Sequence, residues 1–387
     1  MNYQTKGIAS HYSKNLWETY SLYRIPDFQG PRFPPEVLHQ VITELQKLLQ
    51  APSRIFPAGK SFEKRDISCI RCGSGPIQVL LWSQMHGDEP TATMAICDII
   101  NYIARISEAE ATKSILTALT LHFVPMLNPD GAVRFQRRNA QNIDINRDAL
   151  ALRTQEAALL KKMQTDLKPH FAFNLHDQEL STVGNNRVIS TMSLLAPAYD
   201  SERSDNAVRT KAKQIASVFN DILQLYIPGR ISKYDDSFEP RAFGDNMQKS
   251  GTSTLLVESG HIENDPKKEM IRKLNFVGII SALISIANSE YQSINTDQYE
   301  KLPPTGKRAY DLIIRNATID HDGRGKTTAD LAVSYQVDTH SESPPKLVDA
   351  GDLHPFTGLK EIDAKGKMVP SSALKMTEAF DWEKYFL

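Results

Sequence analysis

The sequence predicts an α/β protein with a central mixed sheet flanked by helices, followed by a small β module. Three observations carry this. From residue 60 to 288, strand-like apolar runs (PIQVLLWSQM, LTLHFVPML, HFAFNLHD, TSTLLVES) alternate with segments of helical periodicity, which places helices on both faces of a largely parallel or mixed sheet. Residues 289–306, SEYQSINTDQYEKLPPTG, are polar with a Pro pair, as a linker would be. Beyond them YDLIIRNATI, DLAVSYQV and LKEIDAKGKMV are short alternating segments set between Gly, Pro and Asp turns.

The elements follow in order. In PPEVLHQVITELQKLL, Val37, Val41, Ile42, Leu45, Leu48 and Leu49 recur at helical spacing after a Pro pair, so residues 1–52 form a helical extension packed on the core. RDISCIRC and PIQVLLWSQM read as a hairpin joined at GSGP, and Pro90 opens the helix TATMAICDIINYIARI. LTLHFVPML is a strand, and a loop begins at Asn128. The helix TQEAALLKKMQTDL, the strand HFAFNLHD, a helix over 207–224, the strand TSTLLVES and the helix PKKEMIRKLNFVGIISALISIA complete a main body over 53–288. After the linker comes the β module, 307–387, with residues 336–350 as a mobile loop.

With 387 residues, 41% of them hydrophobic, the chain can bury one large core plus a smaller one. Lys and Arg number 45 against 46 Asp and Glu, so the net charge of -1 gives no global field to attract nucleic acid or an anionic membrane. The N-terminal MNYQTKGIASHYSKNLWETY has no apolar run of the signal-peptide kind, and no later stretch reaches the roughly 18 apolar residues of a membrane span. A cytoplasmic location is expected. The three cysteines, Cys69, Cys72 and Cys97, exclude a disulfide framework. Cys69 and Cys72 form a CxxC without a second pair or a following helix, and read as two small residues in a strand.

Four residues stand where such sheets bind ligands, beyond the carboxyl ends of strands: His86 and Glu89 in MHGDEP, His176 in FNLHDQ and Glu258 in LLVESG. Two imidazoles and a carboxylate are the ligand set of a catalytic zinc with one position open, and Glu258 is a carboxylate suited to work on the water there. An isolated HxxE is a weak signal, because a Glu at a helix start is favoured by the helix dipole alone.

The surroundings sharpen it. Through HGDE, NPDG, RRNAQNIDINRD, the strand ending at His176 and VESG, the chain resembles the M14 family of zinc carboxypeptidases over roughly residues 60–285. The resemblance implies a zinc metallopeptidase with one Zn²⁺ held by His86, Glu89 and His176. It implies Glu258 as general base and Arg137 as the group stabilising the oxyanion. Asn146 and Arg147 become the clamp for the substrate's terminal carboxylate, and Asp144 a partner orienting a ligand imidazole. The sequence departs from the family at Asp177 and Gln178, where many members carry Ser and Tyr. Tyr234 stands in the interval of the family's mobile tyrosine. The family's spacing places the specificity pocket near Phe243, beside Asp245, with Asp235 and Asp236 nearby. The substrate expected is a small peptide. An N-acyl amino acid is the alternative, as in zinc acylases of the aspartoacylase or succinylglutamate desuccinylase type, and an inactive binding protein on the same fold is a further one. The tail, through YDLIIRNATIDHDGRG, ADLAV and EIDAKGKMVP, is similar to the small β-sandwich halves of amidohydrolases. No HxH pair accompanies it, so it implies a β fold and no second active site.

Overall fold

The computed structural model describes residues 8–26, 28, 32–107, 109–335 and 344–387. Its centre is an eight-stranded sheet. In chain order the strands of the main body are β1 (Arg54–Lys60), β2 (Asp66–Cys72), β3 (Ile77–Ser83), β4 (Leu119–Val124), β5 (Phe171–Asp177), β6 (Ser181–Val183), β7 (Met192–Leu195), β8 (Ile231–Lys233) and β9 (Ser253–Ser259). The spatial order is β1-β2-β4-β3-β5-β9-β7-β8, with β4, β3, β5 and β9 mutually parallel and antiparallel pairs on both sides of them. The sheet is therefore mixed, as the sequence predicts.

Alternation along the strands feeds two cores. On one face Val79, Leu81, Phe171, Phe173, Leu255 and Val257 pack beneath helices α1 (Ile8–Thr19), α2 (Pro35–Leu48), α3 (Thr91–Arg105) and α4 (Glu110–Ala118). On the other, Leu80, Trp82 and Ala172 pack with Ile145, Leu160, Phe243 and Met247. That second face is covered by α6 (Gln155–Leu167) and α8 (Phe243–Lys249), whereas Ala132 of α5 (Pro129–Arg134) and the buried side chains of α7 (Ala207–Leu223) belong to the first core. The last core helix, α9 (Glu269–Ala287), is buried nearly all round and also belongs to the first face. Its length and composition would suffice to cross a membrane, which corrects the expectation that no segment reaches that threshold; 83% of its most apolar window is buried inside the protein, as in a core helix.

Two further expectations change. RDISCIRC and PIQVLLWSQM do not pair: β2 lies between β1 and β4, and β3 reaches the sheet on the far side of β4. The linking GSGP wraps over the start of β4, where Ser74 N and Gly75 N donate to Leu116 O and Leu119 O. A Cβ on Gly75 would stand 2.0 Å from the Ala118 carbonyl carbon, so only glycine passes there. In α2 the buried side chains are Leu38, Ile42 and Leu45, while Leu48 faces solvent at 38% exposure.

The segment read as a linker is docked on the main body. Tyr291 and Tyr299 are buried, and the Tyr299 hydroxyl accepts from Ala196 N. Next comes β10 (Thr305–Arg308), which pairs antiparallel with β6. The tail itself is a five-stranded sheet of β11 (Tyr310–Asp320), β12 (Lys326–Ser334), β13 (Lys346–Gly351), β14 (Gly358–Asp363) and β15 (Met368–Pro370). It has its own core, in which Leu312, Ile314, Val333, Phe380 and Trp382 meet. Of the expected loop 336–350, residues 336–343 lie outside those described, and Lys346 onward is strand, paired with β12. Cys69, Cys72 and Cys97 are free and buried; burial pushes the Cys69 and Cys72 thiols up to about 12, so the CxxC is inert packing.

Candidate active site

The metal triad is built by three turns at the carboxyl edge of the sheet. After β3 the chain turns through Gly87 to bring His86 and Glu89 to one point, with Glu89 just ahead of α3, whose cap is Pro90. A Cβ on Gly87 would meet the Gly131 carbonyl carbon at 2.0 Å, so the HGDE and NPDG turns touch backbone to backbone. Asn128 fixes this contact. Its Oδ1 accepts from Gly131 N at 2.9 Å and its Nδ2 donates to Met85 O at 3.2 Å. His176, the penultimate residue of β5, completes the set.

His86 Nδ1 lies 2.7 Å from one Glu89 oxygen, and His176 Nδ1 lies 2.8 Å from the other. The three donor atoms fall within 4.8 Å of one another, all in buried residues, so the triad can hold one metal ion. Two imidazoles and a carboxylate fit Zn²⁺. The far nitrogen of His86 is 3.1 Å from Asp144 Oδ1, which fixes the ring's orientation and tautomer, as expected of that aspartate. Asp144 in turn binds Arg137, whose Nε and Nη2 approach Asp144 Oδ2 at 3.1 and 3.0 Å.

Register places the next group. In the parallel pairing of β5 with β9, His176 is level with Glu258, so the two side chains leave the same face of the sheet side by side. Burial first, then the charge of Glu89, pushes Glu258 well above the usual carboxylate range.

The segment RRNAQNIDINRD folds around its own polar side chains. Asn139 Oδ1 accepts from Gln141 N and Ile143 N, Asp144 caps a short 3₁₀ turn at Asn146 N, and Asp148 accepts from Arg153 N and Thr154 N. The turn presents Asn146 and Arg147 to the cleft. Asn146 Oδ1 accepts from Phe243 N at 2.9 Å, leaving its N–H donors for the cleft, and Arg147 Nε stands 3.6 Å from a Glu239 oxygen.

Eight of the residues that the sequence points to, His86, Glu89, Arg137, Asn146, Arg147, His176, Tyr234 and Glu258, line one cleft of about 1350 Å³, while Phe243 packs in the core of the second face. Tyr234 follows β8 at the rim; the Glu258 charge, then burial, pushes its hydroxyl up to about 12. Pro304 and Thr305, leading into the tail, also line the cleft. So do Asp245, which burial pushes up to about 6, and Asp177, His261 and Lys268. His261 and Lys268 carry no motif and follow the last core strand; only their place beyond a strand's carboxyl end could have marked them.

A metal-binding triad at the carboxyl edge of a mixed sheet, with a buried carboxylate beside it and a guanidinium within reach, has the composition of a metal-dependent hydrolytic centre. Residues 38–185 match the sequence profile of the zinc carboxypeptidase family M14. Among curated relatives, Carboxypeptidase 2 of Trichophyton rubrum is 31% identical over 104 residues, 27% of this chain and 19% of that protein. Carboxypeptidase 2 of Trichophyton equinum is 24% identical over 163 residues, 42% of this chain and 26% of that protein. The chain thus matches about a quarter or less of the length of these relatives. Among solved structures, a metallo-carboxypeptidase from Burkholderia cenocepacia superposes with a TM-score of 0.54 at 15% identity, over 67% of this chain and 70% of that one, a likeness of fold.

Proposed function

We propose that the protein is a zinc metallocarboxypeptidase that hydrolyses the amide bond next to a free C-terminal carboxylate. The observation that carries this reading is the level pairing of His176 with Glu258, which sets a buried carboxylate directly beside a His-Glu-His triad in the cleft that also holds Asn146 and Arg147. Zn²⁺ bound to His86, Glu89 and His176 would supply an acidified water and a polarised carbonyl.

The chain's own groups divide the remaining work. Glu258 takes a proton from the attacking water and passes it to the leaving amine, a task that suits a carboxylate whose proton affinity is raised by burial. The Arg137 guanidinium, anchored on Asp144, faces the oxygen that becomes negative. Asn146 and Arg147 receive the terminal carboxylate, with Arg147 exchanging its contact to Glu239 for the substrate. Tyr234 closes over the bound chain from the rim.

Asp245 extends the reading to specificity. It is buried on α8 and makes no salt bridge among the described residues; its Oδ1 accepts from Glu239 N at 3.0 Å. A carboxylate so placed favours a last residue bearing an amine or guanidine.

The test is a hydrolysis screen of zinc-loaded protein on C-terminal peptides of varied last residue. Release of the last residue, fastest for Lys or Arg, together with one zinc per chain, is the expected result. Glu258→Gln should retain zinc and lose activity by at least about a hundredfold. A Gln variant as active as the parent would remove Glu258 from the mechanism.

A further inference from the structure

Around Tyr234, charges that the mechanism above does not use close into a circuit. Arg209, in the first turn of α7, is 1% exposed. Four of its five N–H groups have acceptors: Nε donates to Ala196 O at 3.3 Å, Nη1 to Arg203 O and to Ser204 O, and Nη2 to Asp236 Oδ2 at 2.7 Å. Arg203 adds a contact of its own, from Nη1 to Asp236 Oδ1 at 3.3 Å. Lys213 stands one turn further along α7, and Asp205 bridges the two, 3.8 Å from Arg209 Nη1 and 2.7 Å from Lys213 Nζ. Lys213 Nζ also meets Glu300 Oε1 at 2.5 Å, and the other Glu300 oxygen accepts from Lys233 Nζ at 3.3 Å. Lys233 ends β8 shortly before Asp236, so the chain itself closes the circuit.

Tyr234 lies within that closure. Its N donates to Leu194 O at 3.0 Å and Lys233 N donates to Pro303 O at 2.7 Å, which ties the backbone at its start. The phenol lines the cleft, with its hydroxyl in the fields of Glu258, Glu89, Arg137 and Arg147. The circuit also reaches outside the main body. Glu300 ends the short helix α10 (Asp297–Glu300), in the segment docked ahead of the tail. Beside it Tyr299 is buried, with Lys233 Nζ 5.6 Å from its ring centre, and its hydroxyl accepts from the N–H of the same Ala196 whose carbonyl takes Arg209. Exposed ion pairs contribute little. Pairs that share a buried guanidinium hold one geometry, because a partner that left would strand a desolvated charge.

We propose that this circuit positions Tyr234: Arg209, Asp205, Lys213 and Glu300 fix the segment 233–236 so that the phenol stands over the bound substrate, and the segment docked ahead of the tail is thereby part of the active site's construction. The proposal rests on the carboxypeptidase reading, in which Tyr234 contacts the bound chain. None of the four residues acts on the substrate. Their effect passes through Lys233 and Asp236, the two ends between which Tyr234 is held.

The experiment opens the circuit on either side, with Asp236→Asn and Glu300→Ala in the zinc-loaded full-length protein. Arg209 itself is left intact, because its loss would strand Asp236 and three carbonyls and threaten the fold. Hydrogen exchange read by mass spectrometry should quicken about tenfold or more over residues 233–237 in both variants, while β5 and β9 exchange as in the parent. On the peptide hydrolysed fastest in the screen above, each variant and Tyr234→Phe should raise KM by about fivefold, with kcat nearly held, as expected when a contact to the bound chain is lost. In the Tyr234→Phe background, opening the circuit should add less than about twofold, whereas a general loosening of the protein would multiply the two effects. Unchanged exchange over 233–237 in both variants, multiplying effects, or a Tyr234→Phe protein as active as the parent would overturn the proposal. If the zinc-loaded parent hydrolyses no peptide, the carboxypeptidase reading fails, and the exchange data alone decide whether the circuit holds Tyr234.

Discussion

At the scale of single residues, the His86 imidazole is gripped from both sides: Glu89 meets Nδ1 and Asp144 meets Nε2. A ring free to rotate would lose entropy on binding metal and would present either nitrogen, so Asp144 raises affinity without touching the ion. Asp144→Asn is expected to weaken zinc binding by about 10- to 100-fold, read by competition with a chelator, while the fold persists. An unchanged affinity would make Asp144 a turn residue and nothing more. Gly87 acts by having no side chain. Gly87→Ala must separate the HGDE and NPDG turns, because its methyl would coincide with the backbone of Gly131, and both zinc content and thermal stability should drop. These motifs were legible in the sequence because the turns need particular residue types: Asn128 to cap, Gly87 to clear, Asp144 and Asp148 to hold N–H groups. Lys268 and His261 were not, since nothing in their neighbours distinguishes a cleft-facing cation from a solvated one until β9 and α9 are set against each other.

At the scale of elements, periodicity identified β3, β4, β5 and β9 and the helices that follow them, because a strand buried on both faces is a continuous apolar run. It did not foresee β1, whose Arg54–Lys60 contains Pro57 and Gly59 and bulges between them. Nor could it give strand order: the sequence neighbours β2 and β3 are parted by β4, a contact decided by how GSGP passes over Leu116 and Leu119. One consequence of the observed order is testable. β4 inserts His122 opposite Arg71 of β2, with its Nε2–H donated to Gln78 at 2.9 Å. Burial, then the Arg71 charge, lowers the His122 pKa from 6.5 to about 4. The folded protein therefore holds the neutral ring where the unfolded chain would take up a proton. This contribution is complete above pH 6.5, is lost as pH falls, and is gone by about pH 4. Measured by denaturant titration between pH 6.5 and 4, His122→Gln should flatten the loss of stability by an amount on the order of 2 kcal/mol. Parallel pH curves for the two proteins would show that the ring titrates normally.

At the scale of the whole molecule, two cores lie in one chain. The main body packs on both faces of its sheet, whereas the tail closes around Leu312, Leu331, Val333, Val369 and Trp382 and shares none of these with the larger clusters. What joins them is polar and narrow: β10 on β6, Ala309 N to Leu180 O, Arg187 Nη2 to the His354 carbonyl, and Thr305 hydrogen-bonded into the hydroxyls of Ser193 and Ser232. Polar contacts of this kind contribute little net stability compared with the apolar burial inside each core, so the two should unfold separately. Zinc binds only the folded main body, and mass action then stabilises that body by about 2.7 kcal/mol when free zinc is a hundred times the dissociation constant. Calorimetry is expected to resolve two transitions, of which only the larger, main-body one moves up on adding zinc and down on adding chelator. A single transition that shifts as a whole would mean that the strand at 305–308 couples the cores into one cooperative unit. In that case Thr305→Val, which breaks the hydroxyl contacts behind the cleft, should lower the zinc-dependent melting temperature of the entire chain, and the tail would be a working wall of the active site rather than an appended module.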